Sequence, residues 1–199
     1  MFNTIDTSIS GTFQDSGTSP LPQFDPSQGQ GGVINFDGVD DFINCGNLSI
    51  IETTAFTISM WLNFTDIAEN TVMFNSGLIH PNGIIYQKTN NKFYLAIGGV
   101  SVFSSIFSLS SGVWYNLVLT VNETTAKVYV NSSQHGSNLT VGSGRSGVGS
   151  NASIGKYNYG NGSWEFTGDM GSTHIYNRAL SSAEILHNYN ALKGRFGLS

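Results

Sequence analysis

FTISMWLNF, residues 56–64, decides the fold. Phe56, Ile58, Met60, Leu62 and Phe64 alternate with Thr57, Ser59, Trp61 and Asn63. A period of two over this length marks a strand with one core face and one mostly polar face. The signature returns in VWYNLVLTV, 113–121, with Val113, Tyr115, Leu117, Leu119 and Val121 as its inward set. AKVYVN at 126–131 follows after NETT, which predicts a hairpin. Upstream, VINF at 33–36 leads into Asp37-Gly38, a two-residue hairpin signal, and then an apolar-polar run through Phe42 and Ile43. VMF, GIIYQ, KFYLAI and SVFSSIF fill the interval between the two long strands. Many short strands broken by turn residues make an all-β sandwich or barrel.

One helix stands apart, predicted over 182–193. Ser181 is its N-cap, and Glu184 three residues later completes a capping box. Leu180 and Ile185 occupy the positions of a hydrophobic staple. Ile185, Leu186, Tyr189 and Leu192 form one apolar stripe, and Gly194 is placed for a C-cap. The helix is expected to close over an edge or end of the sandwich.

Residues 1–31 read differently. They hold all but one of the four prolines, and SPLPQFDPSQGQGG cannot continue a central strand or a helix. We read them as an extended arm, either a tether or a strap that buries Phe13, Leu21 and Phe24 on a partner. Residues 32–199 form the folded domain. GSGRSGVGSNASIG, 142–155, is a low-complexity loop within it.

Composition supports this reading. Charged residues make up 11% of the 199-residue chain, against about 25% in an average soluble protein. Ser, Thr, Asn and 24 Gly replace them, which suits sheet faces and turns better than helix surfaces. The net charge is −5, and the eight Lys and Arg are scattered. No basic patch serves nucleic acid or a membrane surface. Cys45 is the only cysteine, so no intrachain disulfide forms, and it reads as a small buried apolar residue. No apolar run is long enough for membrane insertion. The start, MFNTIDTSISGTF, lacks the basic and apolar blocks of a secretory signal. Export by another route, retention in the cell, and excision from a larger protein all stay open.

Several segments, taken as an ordered set, resemble one family. FDGVDDFINCG (36–46), FTISMWLNF (56–64), GVWYNLVLTVNETTAKVYVN (112–131) and GDMGSTHIYNRALSSAEI (168–185) are similar to successive parts of laminin G-like, concanavalin A-like lectin-glucanase domains. The resemblance covers roughly residues 32–193. It implies a two-sheet antiparallel jelly-roll sandwich with one short C-terminal helix. It also implies glycan or protein binding, with calcium as a cofactor in some members. The ending IYNRALSSAEILHNYNALKGRFG further resembles appendages on tailed-bacteriophage structural proteins.

Catalytic chemistry finds little support. Family members that hydrolyse glycosides carry a Glu-x-Asp-x-x-Glu run on one strand, and none exists here. A retaining pair needs carboxylates about 5 Å apart. Glu165 and Asp169 are four apart, but Gly168 interrupts them. His80, His135, His174 and His187 are scattered, and no Gly-x-Ser-x-Gly elbow occurs. Gly142-x-Gly144-x-x-Gly147 matches a dinucleotide fingerprint in form only, since no βαβ unit surrounds it. We therefore expect no catalytic residues and no enzyme.

Binding chemistry is better represented. Asp37, Asp40 and Asp41 cluster at a turn, and Asp169 lies in the closing GDMG. Calcium takes several oxygen ligands. The resemblance makes the first and last strands neighbours, so Asp41 and Asp169 are the candidate metal ligands. Relatives often carry an acid at the positions of Gly171 and Ser172, and this chain does not. For a glycan, Tyr157, Asn158, Tyr159, Asn161 and Trp164 bring aromatic faces beside planar polar groups on one loop. Trp61 and Trp114 lie opposite the core sets, either filling the concave sheet or packing under the helix. Seven Asn-x-Ser/Thr sequons reflect a chain rich in these residues.

The leading expectation is a non-enzymatic, lectin-like virion structural protein. It would decorate a capsid or tail through the N-terminal arm, stand on the virion surface and bind host glycans. A homo-oligomer is a further expectation, and a trimer would suit a capsid site. The alternative is a carbohydrate-binding module from a secreted or cell-surface protein, with an extracellular location.

Overall fold

The computed structural model describes residues 12–14, 23–25, 32–67, 70–76, 82–144, 151–156 and 164–199. The strands are β1 (Thr12–Gln14), β2 (Gln23–Asp25), β3 (Val33–Asp37), β4 (Phe42–Gly46), β5 (Ala55–Phe64), β6 (Thr71–Ser76), β7 (Asn82–Gln87) and β8 (Lys92–Ile97). They continue as β9 (Val100–Ile106), β10 (Trp114–Asn122), β11 (Thr125–Val130), β12 (Ser133–Gln134), β13 (Leu139–Thr140), β14 (Ala152–Ile154) and β15 (Thr167–Tyr176). Helix α1 (Ser182–Leu192) follows, then a 3-10 turn at Lys193–Phe196.

Two antiparallel sheets form a sandwich. One runs β1-β4-β14-β6-β7-β8-β9, and the other β12-β11-β10-β5-β15-β3-β2, with β13 also on β11. The strand predicted over 56–64 lies centrally in the second sheet. Its alternation sends Phe56, Ile58, Met60, Leu62 and Phe64 into the core, beside Leu117, Leu119 and Val121 of β10. The first sheet answers with Met73, Phe74, Phe93 and Leu95. Val113 of the expected inward set precedes β10 and is 39% exposed. Thr12–Gln14 pairs with β4 and Gln23–Asp25 with β3, so the segment read as an arm contributes an edge strand to each sheet. Leu21 lies outside the described residues.

One open sequence expectation is decided and two are corrected. First, the mostly polar outer face of β5 is buried, because the C-terminal segment covers it. Thr57 donates its hydroxyl to the Arg178 carbonyl (2.8 Å) and accepts from the Leu180 N–H (2.9 Å). Trp61, 1% exposed, stacks on Phe196 at 4.2 Å and on Tyr189 at 5.6 Å. Trp114 meets Phe196 at 4.5 Å. Both tryptophans therefore pack under the helix, and alternation could not report a cover made far away in sequence.

Second, Asp37-Gly38 joins no hairpin. β3 and β4 belong to different sheets, and the chain turns a corner between them. Asp37 Oδ1 accepts from the Val39 N–H (2.8 Å), a local turn that Asp forms readily. Gly38 has φ +79°, which suits a residue without Cβ.

Third, the helix ends differently. Its capping box forms as predicted, and the staple residues Leu180 and Ile185 are both buried. Gly194, however, lies within the 3-10 turn, and Gly197 takes the left-handed conformation instead. Leu186 is 48% exposed, outside the buried stripe.

Candidate functional site

The corner between β3 and β4 gathers the acids. The Asp37 N–H donates to Asp41 Oδ2 at 3.0 Å, which draws the turn closed. Asp37, Asp40 and Asp41 then offer carboxylate oxygens within 4.8 Å of one another. Asp37 is exposed, while Asp40 and Asp41 are buried. Three hard oxygen donors at this spacing can hold a divalent cation.

The second part of the site comes from the chain after β14. The Phe166 N–H donates to the Gly155 carbonyl (2.8 Å), and the Val72 N–H to the Trp164 carbonyl (3.2 Å). These bonds fix Lys156 and Trp164, the flanks of the loop singled out in the sequence. Lys156 Nζ stands over the Phe42 ring at 5.3 Å, next to the corner. Burial pushes the Glu165 carboxyl above its ordinary range; the Lys156 charge opposes the rise and the Asp40 charge adds to it. Glu165 therefore lies within electrostatic reach of the acidic corner. Sequence reasoning weighed Glu165 only as a catalytic acid. Its neighbourhood depends on the pairing of Thr167 with Asp37, which no local pattern reports.

Trp164 is half-buried at the return of the loop. Tyr157, Asn158, Tyr159 and Asn161 lie outside the described residues. Asp41 joins Asp37 and Asp40, but Asp169 stands apart from them. It faces Asn35 across β3, where Asn35 Nδ2 donates to Asp169 Oδ1 at 2.9 Å. Antiparallel pairing carries Asp169 along β3 away from the corner. A side chain at Gly171 would meet the Phe196 ring and the Trp61 Cβ, so no acid fits there.

The histidines are dispersed among the described residues. His135 Nε2 contacts the Ser105 carbonyl (3.0 Å), and burial holds His174 below its usual pKa. His80 lies outside the described residues. Burial pushes the Cys45 thiol up to about 11, as befits a core residue rather than a nucleophile. No helix among the described residues is long and apolar enough to cross a membrane.

No curated protein sequence matches this chain. Among solved structures it is similar to domain 4 of AbnA, an extracellular arabinanase from Geobacillus stearothermophilus solved with arabinotriose. That match has TM-score 0.73 and 16% identity, over 89% of this chain and 86% of the other. It is also similar to Trypanosoma rangeli sialidase, with TM-score 0.65 and 19% identity, covering 82% of this chain but only 28% of the sialidase. The binding domain of Paraclostridial Mosquitocidal Protein 1 matches with TM-score 0.68 and 18% identity, over 94% of this chain and 50% of that one. These likenesses are of fold. Residues 37–186 match the family profile directly, and the chain belongs to the concanavalin A-like lectin/glucanases superfamily.

Proposed function

We propose that this chain is a non-enzymatic, lectin-like module that binds glycans where the acidic corner meets the loop between Lys156 and Trp164. The observation that carries this reading is the junction itself. Carboxylates suited to a cation lie beside the fixed ends of a loop rich in Tyr, Asn and Trp. Aromatic faces stack on sugar C–H surfaces, and amide groups answer the hydroxyls. Asp37, Asp40 and Asp41 would hold calcium, which would supply a positive charge for sugar oxygens; Asp169 would stay outside this set. The AbnA domain, solved with arabinotriose, supports the carbohydrate-binding reading.

The test is a glycan array followed by calorimetry, with calcium and with a chelator. Binding should fall strongly in Trp164→Ala. Asp41→Asn should remove any calcium dependence. An array without a binder at millimolar affinity would defeat the glycan reading, and calorimetry without calcium uptake would defeat the metal reading.

Two settings fit the module. The first is a virion surface, where residues 1–31 attach the domain to capsid or tail proteins; the closing sequence IYNRALSSAEILHNYNALKGRFG, 175–197, supports it. Removing residues 1–31 should then abolish attachment to particles. The second is an extracellular module of a larger secreted or cell-surface protein. The AbnA domain and the fraction of the sialidase that is matched favour this setting.

A further inference from the structure

A second polar groove lies on the outer face of the β5 sheet, at the other end from the acidic corner. Its floor is Thr120, Asn122, Lys127 and Tyr129, and its near wall is the Ala179–Ser182 segment that leads into α1. Its volume is about 440 Å³, within the range of small-molecule sites. The register explains why these side chains meet. Thr120 faces Lys127 across β11 and Thr57 across β5. Thr57 in turn holds Arg178 and Leu180 over the sheet, so the wall is fixed by hydrogen bonds.

The lining has a definite chemistry. Thr120 and Tyr129 are each 4% exposed as whole residues, and both line the groove with polar side chains. Tyr129 packs its ring under Leu180 and Ile185 and also borders the groove. Asn138 accepts from Gln134 Nε2 at 3.2 Å, which leaves its own NH2 to donate. Lys127 forms no ion pair among the described residues, and no carboxylate lines the groove. Nearby, Glu184 is already held by Arg178 at 2.7 Å. Ser181 and Ser182, at the start of α1, add their polar side chains to the wall.

We infer that this groove binds a carboxylated sugar, with Lys127 facing the carboxylate and the hydroxyl and amide side chains facing the sugar hydroxyls. The site is separate from the corner. Gly168 pairs with Phe64 near the corner, and Thr120 pairs with Thr57 at the groove. Seven residues of β5 span roughly 23 Å at about 3.3 Å each. The inference shares only its ligand class with the reading of the corner.

Calorimetry on the full chain with methyl glucuronide, methyl galacturonide and neutral methyl glucoside tests it. At least one uronide should bind in the millimolar range or tighter, about tenfold better than the glucoside. Lys127→Met should erase that preference, and Thr120→Val should weaken binding, both with unchanged melting temperature. Amide shifts on titration should centre on residues 120–129 and 179–182. The inference is overturned if neither uronide binds, if the preference for the uronide survives Lys127→Met, or if acetate competes equally well. Loss on Trp164→Ala with Lys127→Met unaffected would assign the sugar to the corner alone. Failure at the groove would leave binding at the corner untouched.

Discussion

Phe196 joins the last turn of the chain to the centre of a sheet. It stacks on Trp61 and touches Trp114, and its ring lies against Gly171, where a Cβ would collide with it. Truncating a buried aromatic of this kind costs about 3–5 kcal/mol. Phe196→Ala should therefore lower the urea midpoint sharply, with the slope unchanged. Gly171→Ala should do so more mildly, because its new methyl meets the same ring. The contrast between Trp61 and Phe56 shows what the sequence could convey. Phe56 reads inward from alternation alone, since its neighbours in the core share the strand period. Trp61 needed a cover supplied by residues more than a hundred positions later, so its burial had no local sign. Asp169 is a similar case: its distance from Asp41 depends on strand register, which composition does not encode.

Helix α1 is the element most legible in advance, because capping is local. Ser181 and Glu184 exchange both bonds of the box, and Arg178 grips Glu184 from outside the helix. The Arg178 guanidinium, with the Ser181 bonds, holds the Glu184 carboxyl down at about 2, against 4.5 ordinarily. A carboxylate depressed in the folded state stabilises it above the ordinary value and loses that contribution as pH falls. Acid titration from pH 5 to about 2 should therefore lower the melting temperature of the wild type more than that of Glu184→Gln. Solvent exposure of both partners keeps the difference modest. Ser181→Ala should cost about 1 kcal/mol by denaturant unfolding. The other end was illegible for a physical reason. Packing of Phe196 against Trp61 draws the chain into a 3-10 turn, and this overrides the propensity of Gly194 to stop it. The corner at Asp37-Gly38 misled in the same way. Such a dipeptide specifies a reversal, but which sheet receives the next strand is decided by the core.

At the scale of the molecule, the sandwich carries an acidic corner and a polar groove beside Lys127 at opposite ends of β5. The described parts of residues 1–31 place β1 on β4 and β2 on β3, at the margin of each sheet. Their removal would turn β4 and β3 into bare edges, which favour pairing with other chains. A truncated domain beginning at residue 32 should therefore melt earlier and self-associate in sedimentation experiments, beyond any effect on attachment. These two short pairings also bear on how the domain would behave under load. If its anchor precedes residue 12, tension reaches β1 first and β2 next, before any strand of the interior. Each is a three-residue contact. Under a stretching force they would peel away in sequence and lengthen the tether while the core stayed intact, much as a seam gives before the cloth.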